Sequence, residues 1–133
     1  MLDMVDAVTV AVPTSLHRKV IEIISKEGVN ILVEKPIAGS VEDAEFILDS
    51  VSKAGIILAV GHIERYNPVI RSAKEYIDSG ELGKIITLSA KRLSSYPSRI
   101  RDVGVLFDLT IHDVDIIRYL SNSKIKSLSF IID

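Results

Sequence analysis

An α/β fold built around a parallel sheet is predicted for this chain, and three observations predict it. Apolar runs of strand length alternate with segments whose apolar residues recur at helical spacing. Those runs are continuously apolar rather than alternating, the pattern of strands covered on both faces in a parallel sheet. The residues that do not suit a buried strand, among them Pro13, Thr14, Glu34, Lys35, Gly61 and His62, fall where the runs end.

The first run, DAVTVAV (6–12), is a strand, and Pro13 and Thr14 then open SLHRKVIEIISKE, where Leu16, Val20, Ile23 and Ile24 recur at helical spacing. Gly28 stops this helix as a C-cap. VNILVEK (29–35) is the second strand. A second helix follows in SVEDAEFILDSVSKAG, with Ser40 as N-cap, Asp43 in the capping-box position and Gly55 at its far end. IILAVGH (56–62) is the third strand, so residues 6–62 spell βαβαβ, half of a doubly wound sheet. Open parallel sheets bind ligands outside the carboxyl ends of their strands. Pro13 and Thr14, then Glu34, Lys35 and Pro36, then Gly61, His62, Glu64 and Arg65 therefore converge on one polar crevice.

Beyond a boundary near residue 63 the pattern changes. NPVIRSAKEYIDSG is a helix with Asn67 as N-cap, Pro68 at the first helical position and Gly80 as C-cap. IITLSAKRL (85–93) alternates its faces as a strand does, and the loop SSYPSRIRDVG leads into the helix VLFDLTIHDVDIIRYL. Asp108 and His112 are spaced to project from one face of that helix, with Asp115 a turn further. KIKSLSFIID (124–133) reads as a closing strand. The chain of 133 residues, 47% apolar, is long enough for a real core. Its net charge of -2 and scattered basic residues give no pull toward nucleic acid or anionic membrane. The amino terminus has no basic region and too short an apolar run for a signal or membrane segment. There is no cysteine, which rules out disulfides and thiolate metal sites and suits a cytoplasmic protein.

Three stretches, VAVPTSLHRKVIEIISKEGVNILVEKPIA, VGHIERYNPVI and GVLFDLTIHDVDIIRYL, resemble in order and spacing the Gfo/Idh/MocA family of nicotinamide-dependent dehydrogenases. The resemblance covers nearly the whole chain, and its most specific parts are Glu-Lys-Pro at 34–36 and Asp-x-x-x-His at 108 and 112. It implies the second half of a Rossmann-type doubly wound sheet (1–63) followed by the start of an α+β substrate and oligomerisation domain (64–133). It also implies hydride transfer between NAD or NADP and a secondary alcohol of a sugar, polyol or nucleotide-sugar, GHIERYNP pointing to the nucleotide-sugar members. Lys35, Asp108 and His112 become the catalytic set. Pro13, Thr14, His17, Glu34, Lys35 and Arg65 face the cofactor, while His62, Tyr66, Asn67 and His112 meet the substrate. His112 would exchange the hydroxyl proton near neutral pH, Asp108 would orient the imidazole or bind a further hydroxyl, and the Lys35 ammonium would stabilise the alkoxide.

The residues also admit plainer readings. Glu34 and Lys35 fit a solvated strand end, and Asp108 with His112 fits a surface pair on an amphipathic helix. His17 fits a helix surface, and His62, Arg65 and Tyr66 fit packing. No metal is expected: Asp113 turns away from Asp108, His112 and Asp115, and no second histidine lies nearby. The sequence also departs from the family. A complete member opens with a βαβ unit carrying a G-x-G-x-x-G-like loop that holds the pyrophosphate. None of the seven glycines here falls in that arrangement. The chain reads as an internal piece of a dehydrogenase, a natural truncation, split gene or excised piece, that binds NAD(P) poorly alone. The competing class is a non-catalytic remnant acting as a binding or oligomerising module. Either way a homodimer or larger assembly is expected, through sheet extension or face packing around 85–93 and 124–133.

Overall fold

The computed structural model describes residues 2–92, 106–129 and 131. Contacts divide them into two compact units, residues up to His62 with the stretch ending at Ile111, and residues from Ile63 with those from His112 onward.

In the first unit the apolar runs form three parallel strands, β1 (Ala7–Val10), β2 (Asn30–Val33) and β3 (Leu58–Val60), in the order β1-β2-β3. Helix α1 (His17–Lys26) connects the first two and α2 (Val41–Ala54) the second two. Right-handed crossovers in a monotonic strand order put both helices on the same face of the sheet. One core results, in which Ile21 and Ile24 of α1 and Ile47 and Val51 of α2 meet Val10, Ile31 and Val33. Burying an isoleucine of this kind contributes roughly 1.5–3 kcal/mol, and Ile21, Ile47 and Val33 are fully enclosed. On the other face the register row Thr9, Leu32 and Ala59 is exposed. The sequence led us to expect both faces covered. Among the described residues only one is, because both helices cross on that side.

Local chemistry fixes the helix ends. Ser40 accepts a hydrogen bond from the Asp43 amide at 3.1 Å, the N-cap its position predicts. Gly55, at φ 67°, closes α2 in the left-handed conformation, with its own and the following amide returning to the Ser52 and Val51 carbonyls. Arg18 ties the two helices together, donating to Asp43 at 2.7 Å and lying 4.1 Å over the Phe46 ring.

The three strands end in one register row, Val10, Val33 and Val60. Whatever follows those valines therefore emerges along a single edge. The strands are shorter than the apolar runs because the chain leaves the ladder at these positions.

The second unit contains a 3-10 turn (Ile63–Tyr66), helix α3 (Pro68–Asp78) and helix α4 (Ile111–Ser121), whose residues from His112 on belong to it. Asn67 accepts from the Val69 amide and Pro68 takes the first helical position. Ser79 is the C-cap of α3, one residue before the glycine that the sequence nominates. Arg65 lies 5.5 Å and Lys74 5.7 Å over the ring of Tyr119, which links α3 to α4. The strands expected at 85–93 and 124–133 are not found: the described residues of both segments join no ladder. Alternation marks a strand's two faces, but a strand exists only through a hydrogen-bonded neighbour, and the described residues supply none. Leu93, the loop expected at 94–104, and Val105 lie outside the described residues.

Candidate active site

Because the ladders stop at a common row, the sequence-nominated residues of the first unit lie along one edge. Beyond β1 come Pro13 and the buried Thr14, which starts a 3-10 turn (Thr14–Leu16) running into α1. Beyond β2 come Glu34 and Lys35. The Glu34 amide still donates to the Val10 carbonyl at 3.0 Å, so pairing with β1 holds this point, and the Lys35–Pro36 peptide is cis. Beyond β3 the Gly61 amide donates to the Val33 carbonyl at 2.8 Å. A Cβ on Gly61 would stand 3.4 Å from that oxygen and 3.6 Å from a Glu34 carboxylate oxygen, so the third strand end approaches the second closely. His62 follows, half-buried.

Lys35 is the charged centre of this edge. Its ammonium donates to the Asp108 carboxylate at 2.8 Å and to the Asp108 carbonyl oxygen, also at 2.8 Å. Both side chains are mostly withdrawn from water, at 17% and 15% exposure. An ion pair that sheltered is screened less than a surface pair and holds the ammonium in a defined place. Asp108 belongs to a π-helical turn (Leu106–Thr110) that precedes α4. The α-helical spacing assumed for Asp108 and His112 thus begins only at Ile111, and single π turns of this kind recur at functional sites. His112 is the second residue of α4 and is half-buried.

His17, one of the cofactor candidates, is enclosed at 1% exposure, which removes the helix-surface alternative. Its Nε2 is 3.0 Å from the Val12 carbonyl oxygen, and its Nδ1 is 3.1 Å from that of Pro36 and 3.2 Å from that of Ile37. The first unit thus gathers Pro13, Thr14, His17, Glu34, Lys35, His62 and Asp108. Arg65, Tyr66, Asn67 and His112 belong to the second unit. There Arg65 grips Asp115 through Nε, at 2.8 Å, and Nη2. The Asp115 hydrogen bond raises the Arg65 pKa above its ordinary value, so the guanidinium stays charged throughout. Tyr66 is exposed, and Asn67 is engaged as the α3 cap.

Sequence reasoning missed the partners of Asp113 and Asp115. Arg92 holds Asp113 through Nε, at 3.1 Å, and Nη2, at 2.9 Å, while Arg65 holds Asp115. Among the described residues no group of three His, Asp or Glu side chains is placed to hold a metal ion, and no helix is long and apolar enough to cross a membrane.

Comparison with known proteins gives two adjoining family matches. Residues 1–62 match the family described as oxidoreductase, NAD-binding Rossmann fold (GFO_IDH_MocA), and residues 70–133 match the GFO/IDH/MocA C-terminal domain. Among curated relatives, UDP-N-acetylglucosamine 3-dehydrogenase of Acidithiobacillus ferrooxidans is 35% identical over 120 residues, covering 90% of this chain and 37% of the relative. The scyllo-inositol 2-dehydrogenase (NAD(+)) of Bacillus subtilis is 36% identical over 129 residues, covering 94% of this chain and 38% of the relative. Among solved structures, the WlbA dehydrogenase of Bordetella pertussis, in complex with NADH and UDP-GlcNAcA, superposes with a TM-score of 0.79 at 26% identity, over 86% of this chain and 36% of that one. The chain thus spans less than two fifths of the length of these relatives.

Proposed function

Because this chain belongs to the GFO/IDH/MocA oxidoreductase family, we propose that it carries the catalytic middle of a dehydrogenase that moves a hydride between NAD(P) and a secondary alcohol of a sugar, polyol or nucleotide-sugar. The observation that carries the reading is the sheltered Lys35–Asp108 pair at the carboxyl edge of the sheet. A nicotinamide, when bound, accepts or returns the hydride. The protein's own task is then to hold the hydroxyl and manage its proton. The Lys35 ammonium stabilises the negative charge that develops on the oxygen, and Asp108 fixes where that ammonium stands. His112 is assigned the proton, since an imidazole exchanges it near neutral pH. Pro13, Thr14 and Glu34 take the nicotinamide side, and His62, Tyr66 and Asn67 the substrate side. Residues 1–63 and 64–133 form the dinucleotide and substrate parts.

The fit to the cofactor is partial. Lys35, Glu34 and Thr14 suit the nicotinamide end. The glycines do not suit a pyrophosphate: Gly28, Gly55, Gly80 and Gly83 have positive φ at or near the ends of helices, and Gly61 is pressed against Glu34. Weak binding of NAD(P) by the 133 residues alone is therefore expected, and isothermal titration showing micromolar affinity would mean that the phosphates have another seat. That same gap favours a second reading, a binding or oligomerising module without turnover.

A chimera separates the two. Residues 1–133 replace the aligned segment of the Bacillus scyllo-inositol dehydrogenase, and NADH formation is followed with scyllo-inositol and with UDP-N-acetylglucosamine. Turnover that falls about a hundredfold or more in Lys35→Ala and in His112→Ala supports the catalytic reading. A folded chimera whose turnover ignores both substitutions refutes it. We further propose a cytoplasmic homo-oligomer joined through 85–93 and 124–133, where Ile86, Leu128 and Ile131 are exposed. Light scattering that returned a sharply melting species of 14.6 kDa would overturn the assembly.

A further inference from the structure

His17 lies between two stretches of backbone beyond the ends of β1 and β2. Both of its ring nitrogens face backbone carbonyl oxygens, Nε2 that of Val12 at 3.0 Å and Nδ1 those of Pro36 and Ile37 at 3.1 and 3.2 Å. A carbonyl can only accept. A neutral ring donates on one side, and at 1% exposure bulk water does not compete for that bond or for the space the ring fills on the other.

The carbonyls it meets are informative. Val12 belongs to the continuation of β1, while Pro36 and Ile37 directly follow Lys35. The near side of Lys35 is pinned by the Glu34 amide on the Val10 carbonyl. No ladder holds the far side, because β2 has ended. The His17 ring is what ties that far side back to the neighbouring strand's continuation.

We propose that His17 is a positioning residue for Lys35, a buried ring seated between Val12 and the Pro36–Ile37 backbone that holds the two together and so sets where the Lys35 ammonium meets Asp108. Its ring nitrogens face the protein's own backbone carbonyls. The importance of Lys35 for catalysis rests on the function proposed above, but the clamp does not, and it is tested without turnover.

Lysine reactivity on the 133-residue chain decides it. In lysine acetylation mapped by mass spectrometry, His17→Leu should raise the rate at Lys35 several-fold, while the exposed Lys53 and the sheltered Lys74 of the other unit keep their rates. His17→Gln, which retains one donor, should give a smaller rise. Unchanged Lys35 reactivity in folded His17→Leu overturns the clamp. If that variant does not fold, His17→Gln decides alone: a rise confined to Lys35 supports the clamp, and no rise or an equal rise at Lys74 refutes it.

Discussion

Replacing Lys35 by methionine removes two hydrogen bonds, one to the Asp108 carboxylate and one to the Asp108 carbonyl, while Asp108→Asn removes the charge and leaves the carbonyl bond. Two unit charges 2.8 Å apart attract by about 6 kcal/mol at an effective dielectric of about 20. Desolvation of both groups offsets most of that. Losing one partner costs about 3–5 kcal/mol in a fully buried pair and about 0.2–1 kcal/mol in an exposed one. At 17% and 15% exposure the Lys35–Asp108 pair lies between these limits. Lys35→Met should thus cost about 2–3 kcal/mol, since it strands a sheltered carboxylate and an unmatched carbonyl. Asp108→Asn should cost about 1–2 kcal/mol, because the amide oxygen can still accept.

The assay is a double-mutant cycle by urea unfolding on the 133-residue chain. The double variant should recover about 1–2 kcal/mol relative to the sum of the single changes. An internal standard is available in Lys53–Asp49, a bridge between i and i+4 with exposures of 77% and 59%. Its coupling should stay below about 0.5 kcal/mol. If Lys35 and Asp108 proved additive within about 0.3 kcal/mol, or no more coupled than the exposed pair, the pair would not be held as the distances imply, and its use as a catalytic anchor would fall with it.

The remaining expectations concern the scaffold. Ile47, fully buried between α2 and the sheet, should cost about 3 kcal/mol or more as Ile47→Ala in the same urea assay, and a loss under about 1 kcal/mol would mean the core collapses around the gap. Ser40→Ala removes the acceptor for the Asp43 amide and should lower stability by about 1 kcal/mol, with Ser40→Asp restoring it; equal stability of all three would dismiss the cap. Glu22 is held below the ordinary glutamate range, first by the hydrogen bond from Lys26 and then by its charge. A depressed folded value means stabilisation present above the unfolded value and lost as pH falls through the folded one. The carboxyl titration seen by NMR should thus have a lower midpoint in the folded chain than in urea, and coincident midpoints would refute the bridge.

What could be read from the sequence was what local rules decide. Ser40, Gly55, Asn67 and Pro68 sit where the caps require them because a cap is made between residues a few positions apart. The edge bearing Pro13, Lys35 and His62 could be named because parallel strands joined by right-handed crossovers bring their carboxyl ends to one side. The strand expected at 85–93 was read from its alternating faces and that at 124–133 as a closing strand, and the described residues of neither join a ladder, since a strand's faces can be read locally while the ladder depends on a partner.

The pairings themselves were not legible in the residue pattern, although the family resemblance had put Lys35 and Asp108 in one set. Lys35 and Asp108 are separated by 73 positions, Arg65 and Asp115 by 50, and no periodicity links either pair. The π turn at Leu106–Thr110 was invisible to a reading that assumed one helical period through Asp108 and His112. His17 is the most instructive residue. The family resemblance marked it as a cofactor contact, yet a histidine at the start of an amphipathic helix also fits the surface. What decides its role is that Val12 and Pro36 emerge beside one another, which follows from the common ladder end at Val10 and Val33. A side chain at the start of α1 then lies within hydrogen-bond distance of both carbonyls. The edge that collects charged groups also leaves backbone carbonyls beyond the ladder's reach, and a buried ring seated between them holds the stretch that follows the lysine.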